Sequence, residues 1–503
     1  MTISFTTTGN RGLDLEEKLI FEQDKAGRTA VDLPEPGSHE NRLGPARRKK
    51  PIGLPGLSEP QVVRHYVRMS RNNYAIDAGI YPLGSCTMKH NPRLNEKMAR
   101  TPGLADLHPL QPQGSVQGAF ALMNELAHWL TTLTGMPAVA LSPAAGAHGE
   151  LTGLMTIRAA LEARGDARRV VLVAESAHGT NPASAHMCGY EVESIPGDDR
   201  GRVDLTALKE RLGPDVAAFM ITNPNTCGLF EDDIAEISAA VHQAGGFVYC
   251  DGANFNAFVG RVRPGDLGVD AMHLNLHKTF STPHGGGGPG AGPVVLSEAL
   301  AAFAPLPYVV KTGDEFRLIE TEDESDAKPY GRMKGFHGQF GVFVRALSYM
   351  MSMGADGLRQ ASADAVLNAN YLRERLQNAM SLSYPGPCMH EVLFDDRFLA
   401  ETGISTLDFA KAMIDEGVHP MTMYFPLVVH GAFLIEPTET ESRASLDQLA
   451  DLMLGLVAKA KAKEVEFFKA SPTLTPRRRL DETRAARSPV LRWTRPAPKM
   501  AAE

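Results

Sequence analysis

From Val62 onward the apolar positions fall into regular patterns. Val116, Phe120, Met123, Leu126, Leu130 and Leu133 recur at helical spacing with Gly135 just beyond them, which predicts one amphipathic helix ending at that glycine. Between about 138 and 300 the pattern changes. Short apolar runs at 138–141, 170–174, 217–222, 247–250, 272–276 and 293–296 alternate with amphipathic stretches at 149–164, 205–212 and 233–244. Strands rich in Val, Ile and Phe, separated by helices, predict an α/β fold: a mostly parallel sheet covered on both faces. Ligands of such sheets sit beyond the carboxyl ends of the strands.

From about 336 the pattern turns helical, at 339–353 and 360–380, and then mixed, with a strand at 431–435 and a helix at 445–463. This predicts a second, smaller α+β domain. Residues 1–60 are rich in Pro, Gly and charge, including the run Arg47, Arg48, Lys49 and Lys50, and read as a solvated arm or subunit-contact segment rather than a specific anion site. After Ser471 come Arg477, Arg478, Arg479, Arg484, Arg487, Arg492 and Arg495 without periodicity, a flexible or partner-draped tail. The expected division is an arm at 1–60, a large domain at 61–335, a small one at 336–465 and a tail at 466–503.

Composition narrows the class. A chain of 503 residues needs more than one core, and 43% apolar with 22% charged residues describes a soluble globular protein. The net charge of −8 argues against a nucleic-acid binder, which needs a basic face. Five cysteines (Cys86, Cys188, Cys227, Cys250 and Cys388), with no CxxC pair, suit neither a disulfide framework nor a zinc site and fit a reducing compartment. No secretory signal is visible, and the most apolar helical stretch, 341–353, carries Arg345 and is too short to span a bilayer. A cytoplasmic protein with no membrane partner is expected.

Four loops carry candidate chemistry. Residues 143–150 (PAAGAHGE) follow a strand and open a helix, so small residues and a helix N-terminus could cradle a phosphate, although packing alone also favours such turns. His178 follows the 170–174 run and either caps the next helix or lies against an aromatic cofactor. Asp251 ends the 247–250 run, where a buried carboxylate needs a partner. No His/Cys cluster with ligand spacing accompanies it, so a cation such as a protonated pyridine nitrogen suits it better than a metal. Lys278 ends another apolar run and precedes Gly285 to Gly288; there it either snorkels to the sheet edge or offers a desolvated, nucleophilic amine. Phosphate cradle, ring-facing His, pyridinium anchor and lysine at one sheet edge are the parts that pyridoxal phosphate needs.

The phrases GSCTMKHNP (84–92), AGAHGE (145–150), SAHGTNPASA (176–185), TNPNT (222–226), DGAN (251–254), HK (277–278) and IEPTETES (435–442) resemble, in this order, the P-protein family of the glycine cleavage system. That family is glycine dehydrogenase (aminomethyl-transferring), and the likeness is narrower to subunit 2 of its two-subunit bacterial form. It runs from about 20 to 460 and leaves out the Arg-rich tail; Cys227 stands where the family pattern has Leu. The resemblance implies a pyridoxal-phosphate transferase of fold type I. It implies a Schiff-base lysine at Lys278, Asp251 on the pyridine nitrogen and His178 stacked on the ring, with Ala253 also at the cofactor. Thr226 is implied at the ring hydroxyl, and Gly146, Ala147 and His277 near the phosphate. The implied reaction decarboxylates glycine and passes an aminomethyl group to the lipoyl arm of an H-protein. The implied assembly with subunit 1 is a heterotetramer of two of each subunit. His90, His284, Asn91, Thr87 and the 424–426 segment are expected, by analogy, to line the substrate channel, and 435–442 is read equally as substrate contact or as strand and helix cap. A decarboxylase or lyase of a larger amino acid and a non-catalytic scaffold of the same fold are the rival readings.

Overall fold

The computed structural model describes residues 16–25, 27–31, 33–34, 37, 42–50, 52–284 and 290–494. They form two compact units, Gly79–Phe468 and a second drawn from Met1–Ala78 and Lys469–Glu503. The glycine run Gly285 to Gly288 and Arg495 lie outside the described residues.

The first unit is built on a sheet of seven strands: β1 (Ala138–Ala140), β2 (Val170–Ala174), β3 (Glu191–Ile195), β4 (Val216–Thr222), β5 (Phe247–Gly252), β6 (Ala271–Leu274) and β7 (Val294–Leu296). Their order is β1-β7-β6-β5-β4-β2-β3. The pairs from β3 through β6 are parallel, and β7 runs antiparallel to both of its neighbours. Every residue of β2, β4 and β5 is buried, so both faces of the sheet must be covered. Alternate residues face opposite cores. Leu172, Phe219, Ile221 and Met272 pack with Leu126, Leu130 and Phe343 on one side, and Val171, Met220 and Tyr249 pack with Leu154 and Ile157 on the other. The expected mostly parallel sheet is thus present, with its apolar runs in the expected places.

Three details differ from the pattern reading. Glu191–Ile195 is an edge strand whose glutamates stay in contact with solvent, so it lacks an apolar run. Residues 275–276 leave the strand and enter the short helix Leu276–Thr279, which turns the chain at Lys278. The helices expected at 339–353 and 360–380 are one element, Phe340–Leu376, broken at Gly354, whose φ of 64° and ψ of −176° are not helical.

The hairpin β8 (Tyr308–Thr312) and β9 (Glu315–Ile319) follows the large sheet. A second, antiparallel sheet then contains β10 (Ser381–Leu382), β11 (Val392–Asp395), β12 (Thr422–Met423) and β13 (Phe433–Ile435), in the order β10-β11-β13-β12. Phe394, Phe409 and Phe433 pack there with Leu449 and Met453 of the helix Arg443–Lys461, a core separate from those of the large sheet. In the other unit, the stretch after Ser471 carries the short helix Glu482–Arg487, and Trp493 stacks on Phe21 with ring centroids 5.1 Å apart. Among the described residues no helix is long and apolar enough to cross a membrane.

Candidate active site

The strand ends of the large sheet bring the predicted residues together. Asp251 closes β5 and is 3% exposed. Its Oδ2 accepts a hydrogen bond from Asn181 Nδ2 at 2.9 Å and its Oδ1 accepts from the Ala253 N–H at 2.9 Å. His273 Nε2 lies 3.2 Å from the same Oδ1, because parallel pairing of β5 and β6 sets Asp251 opposite His273. The Tyr249 hydroxyl is 2.7 Å from His273 Nδ1. With Tyr249 donating to Nδ1, the remaining ring proton sits on Nε2 and points at Asp251, which fixes the tautomer. Burial keeps the His273 imidazole below the ordinary histidine value, so it is neutral near pH 7. Burial alone would raise Asp251; His273, the Asn181 and Ala253 hydrogen bonds and Lys278 outweigh it and keep the carboxyl lowered. Asp251 is therefore a buried negative charge solvated by neutral donors, poised for a cationic partner.

Lys278 lies in the helix Leu276–Thr279 beyond β6 and is 8% exposed, and its Nζ donates to the Ser85 carbonyl at 2.8 Å. The amine is close enough to act on the titration of Asp251, His178, His277 and His284 alike. His178 Nδ1 accepts from the Thr180 N–H at 3.2 Å, which caps the helix Thr180–Met187, and the ring lies 5.5 Å from that of Phe425. Desolvation lowers His178, with Asp251 pulling it up and Lys278 pushing it down, so the ring lies within the field of both. The helix-cap and the ring-facing readings of His178 are compatible.

Gly146 and Ala147 open the helix Gly146–Ala163. A side chain at Gly146 would approach Asn275 Oδ1 to 2.7 Å, one at Gly292 would meet the Ala145 carbonyl at 2.0 Å, and one at Gly290 would meet His277 Nδ1 at 1.8 Å. Backbone thus reaches close to Asn275 from the Gly146 turn and close to His277 from the Gly290 loop. Asn275 Oδ1 and His284 Nε2 are buried and have no hydrogen-bond partner among the described residues. The ring of His284 stands 4.9 Å from that of His277, and burial pushes His277 down to about 3. Small residues, a helix N-terminus and unpartnered polar atoms beside Lys278 fit a phosphate-bearing cofactor, and Asp251 fits its ring nitrogen.

The Thr226 hydroxyl donates to the Ser176 carbonyl, which joins the β4 loop to the β2 loop. Thr87 Oγ1 donates to Glu436 Oε1 at 2.6 Å, so Thr87 is occupied by the 435–442 segment. The His90 N–H donates to Thr440 Oγ1 at 3.2 Å, and Asn91 Nδ2 donates to the Lys89 carbonyl at 3.3 Å. Tyr424 has a φ of 55°, and its hydroxyl accepts from the Leu407 N–H at 3.1 Å.

Sequence reasoning missed Glu150. Its Oε1 accepts from Thr180 Oγ1 at 2.8 Å and its Oε2 from Ser184 Oγ at 3.1 Å, and it shares a cluster with Asp251 and His273. Burial, then the neighbouring Asp251, push the carboxyl up to about 8, against the pull of the two hydroxyls and Lys278. Between its ordinary value of 4.5 and about 8 the folded protein holds a proton that the unfolded chain has lost. Stability therefore falls as pH rises across that window, by up to about 1.4 kcal/mol per pH unit from this one group, and levels off above it. Denaturant titrations of wild type and Glu150→Gln from pH 5 to 9 should show the variant without this decline.

Residues 361–473 match the family described as glycine dehydrogenase, C-terminal domain, and residues 152–391 match aminotransferase class-V. The chain is 65% identical over 495 residues to the probable glycine dehydrogenase (decarboxylating) subunit 2 of Caulobacter vibrioides, covering 97% of this chain and 94% of that one. The protein of the same description from Thermotoga maritima is 51% identical over 94% of this chain and 99% of its own. Among solved structures, the crystal structure of glycine decarboxylase (P-protein) of the glycine cleavage system, in inhibitor-bound form, superposes with a TM-score of 0.67. It is 21% identical and covers 85% of this chain and 91% of that one. The fold is therefore fold type I of the pyridoxal-phosphate enzymes, as the resemblance implied.

Proposed function

The chain belongs to the family of glycine dehydrogenase (decarboxylating) subunit 2, and on that footing we propose that it releases the carboxyl group of glycine as carbon dioxide. The observation that carries the reading is the pairing, at one sheet edge, of a buried amine with a buried carboxylate solvated only by neutral groups: Lys278 and Asp251. A scaffold that had lost its chemistry would have no reason to keep such a charge desolvated.

Pyridoxal phosphate, when bound, supplies a conjugated ring that takes up the electron pair left behind by carbon dioxide. Lys278 would carry it, Asp251 would hold the proton on its ring nitrogen, and His178 and Ala253 would flank the ring. Thr226 would serve the ring hydroxyl, and Gly146, Ala147 and His277 the phosphate. His273 supports this set as a positioning residue, since its Nε2–H fixes the Asp251 carboxylate in orientation while adding no charge. A neutral His277 brings no positive charge to a phosphate dianion; with Nδ1 accepting from the Ala291 N–H at 3.3 Å, its Nε2–H is the group left to donate a hydrogen bond there.

The aminomethyl group of glycine would pass to one sulfur of the oxidised lipoyl disulfide of an H-protein, the S–S bond breaking to leave the other sulfur as a thiol, and subunit 1 would complete the enzyme as a heterotetramer of two of each subunit. The setting is the cytoplasm, which the absence of any disulfide among the described cysteines accommodates. The test mixes this chain with subunit 1 and a lipoylated H-protein and follows exchange of labelled carbon dioxide with amino acids. Glycine should exchange, and alanine, glutamate and phenylalanine should remain near background. Faster exchange with a larger amino acid would replace glycine as the substrate.

A further inference from the structure

A second buried cluster, His390, Glu391 and Glu436, lies within the field of Lys278. Glu391 precedes β11 and Glu436 follows β13; the antiparallel register Val392↔Ile435 makes them neighbours, and both are 0% exposed. Among the described residues neither is hydrogen-bonded to a Lys or Arg, although both lie within the field of Lys278. Each instead holds the chain segment that begins at Leu83. Glu391 Oε2 accepts from the Ser85 N–H at 2.7 Å, and Glu436 Oε1 accepts from Thr87 Oγ1 at 2.6 Å and from Asn256 Nδ2 at 3.1 Å.

The segment is stitched to the small sheet at further points. Leu83 bridges Ile435, and Thr422 Oγ1 donates to the Gly84 carbonyl at 2.7 Å. A side chain at Gly84 would press to 2.7 Å on the Leu434 carbonyl. Between these ties Ser85 adopts a φ of 63°, a conformation that a non-glycine residue holds only when its surroundings impose it. That conformation presents the Ser85 carbonyl to Lys278 Nζ at 2.8 Å. Lys89, farther along the same segment, donates to the carbonyl of Thr279, the residue after Lys278, at 2.9 Å.

Resting on the reading of Lys278 as the cofactor lysine, we infer that Glu391 and Glu436 are positioning residues of the reaction. Their carboxyls lock the Leu83–Thr87 segment so that the Ser85 carbonyl holds the Lys278 amine whenever that amine is not joined to the cofactor. A flexible lysine released by substrate has several rotamers to lose before it can return, and a fixed acceptor at 2.8 Å limits that search. The hydrogen bond to Ser85, not a negative charge, is what Glu391 contributes. Burial and the neighbouring Glu436 hold its carboxyl well above the usual range, and a neutral acid still accepts from an N–H.

The test uses the full chain with subunit 1. Cofactor-free protein is mixed with pyridoxal phosphate, and the growth of the lysine-linked visible absorption is timed; kcat and KM for glycine exchange are measured on the loaded enzyme. Glu391→Ala should slow the growth of the band about tenfold and lower kcat by a similar factor with KM little changed. Glu391→Gln, which keeps an acceptor for the Ser85 N–H, should return most of both rates. Ser85→Val, strained at positive φ, should copy Glu391→Ala with both carboxyls in place. Wild-type behaviour of Glu391→Ala and Ser85→Val overturns the inference. So does a Glu391→Gln as slow as Glu391→Ala, which would mean that charge, or a cation held with His390, whose nitrogens have no hydrogen-bond partner among the described residues, matters instead. Lys278→Ala runs alongside: a band that persists there defeats the reading of Lys278 itself, a separate result.

Discussion

Lys278→Ala should abolish the lysine-linked absorption and lower glycine-dependent exchange of carbon dioxide by on the order of 10³-fold or more, since its amine is the nucleophile proposed to hold the cofactor covalently. The side chain is 8% exposed, and its amine donates to the Ser85 carbonyl at 2.8 Å. A buried lysine kept for packing alone would be cheaper as an apolar residue. Lys278→Arg separates charge from nucleophilicity. The guanidinium remains protonated and can still balance the carboxylates around it, yet it offers no free amine pair. Both variants should therefore lose the absorption, and Lys278→Arg should keep more of the thermal stability. Wild-type exchange by either variant would remove Lys278 from the chemistry.

The large sheet was legible because β2, β4 and β5 are buried on both faces and so read as near-continuous apolar runs, VVLVA, AAFMIT and FVYC. β3 was hidden for the opposite reason. At the edge of the sheet, its glutamates break the apolar pattern that marks the central strands. The strand-end principle picked out Asp251, His178 and Lys278, which lie at or a few residues beyond the carboxyl ends of β5, β2 and β6. It could not locate their supports. His273 sits inside a strand, and only the parallel register of β5 and β6 puts it opposite Asp251. Glu150 lies within the AGAHGE phrase, but its pairing with Thr180 and Ser184 depends on how two helices meet. Glu391 and Glu436 are about 300 or more residues from Ser85 and Thr87, and a single sequence carries no signal for contacts at that separation. The residues that touch the cofactor in the proposed reading announce themselves by position along the chain; those that hold them appear only in the fold.

Asp251→Asn is the sharper test of electrostatics, because it preserves shape and removes one charge. In the wild type the carboxylate accepts from Asn181 and Ala253 and faces the Nε2–H of His273. All three donors are neutral, so they stabilise the anion without cancelling it, and the charge remains to be balanced by a proton on a pyridine nitrogen. An amide at this position can accept from only one side. Its NH2 group either meets the Ala253 N–H and His273 Nε2–H donor against donor or turns the Asn181 amide so that its Oδ1 accepts, and in either case it offers the ring nitrogen no counter-charge. If the carboxylate raises the nitrogen's affinity for its proton by about two pH units, its loss costs roughly 2.7 kcal/mol and slows the carbon dioxide step about 100-fold. Lys278 is untouched, so the lysine-linked absorption should survive with a shifted maximum. The expected signature is therefore a split: cofactor retained, exchange nearly lost. Asp251→Glu, which keeps the charge but extends it by a methylene, should fall between, since the longer side chain must give up part of the Asn181 and Ala253 geometry. Equal activity in Asp251→Asn and wild type would leave the buried anion without a catalytic purpose and would confine its role to holding His273 and Asn181 in place.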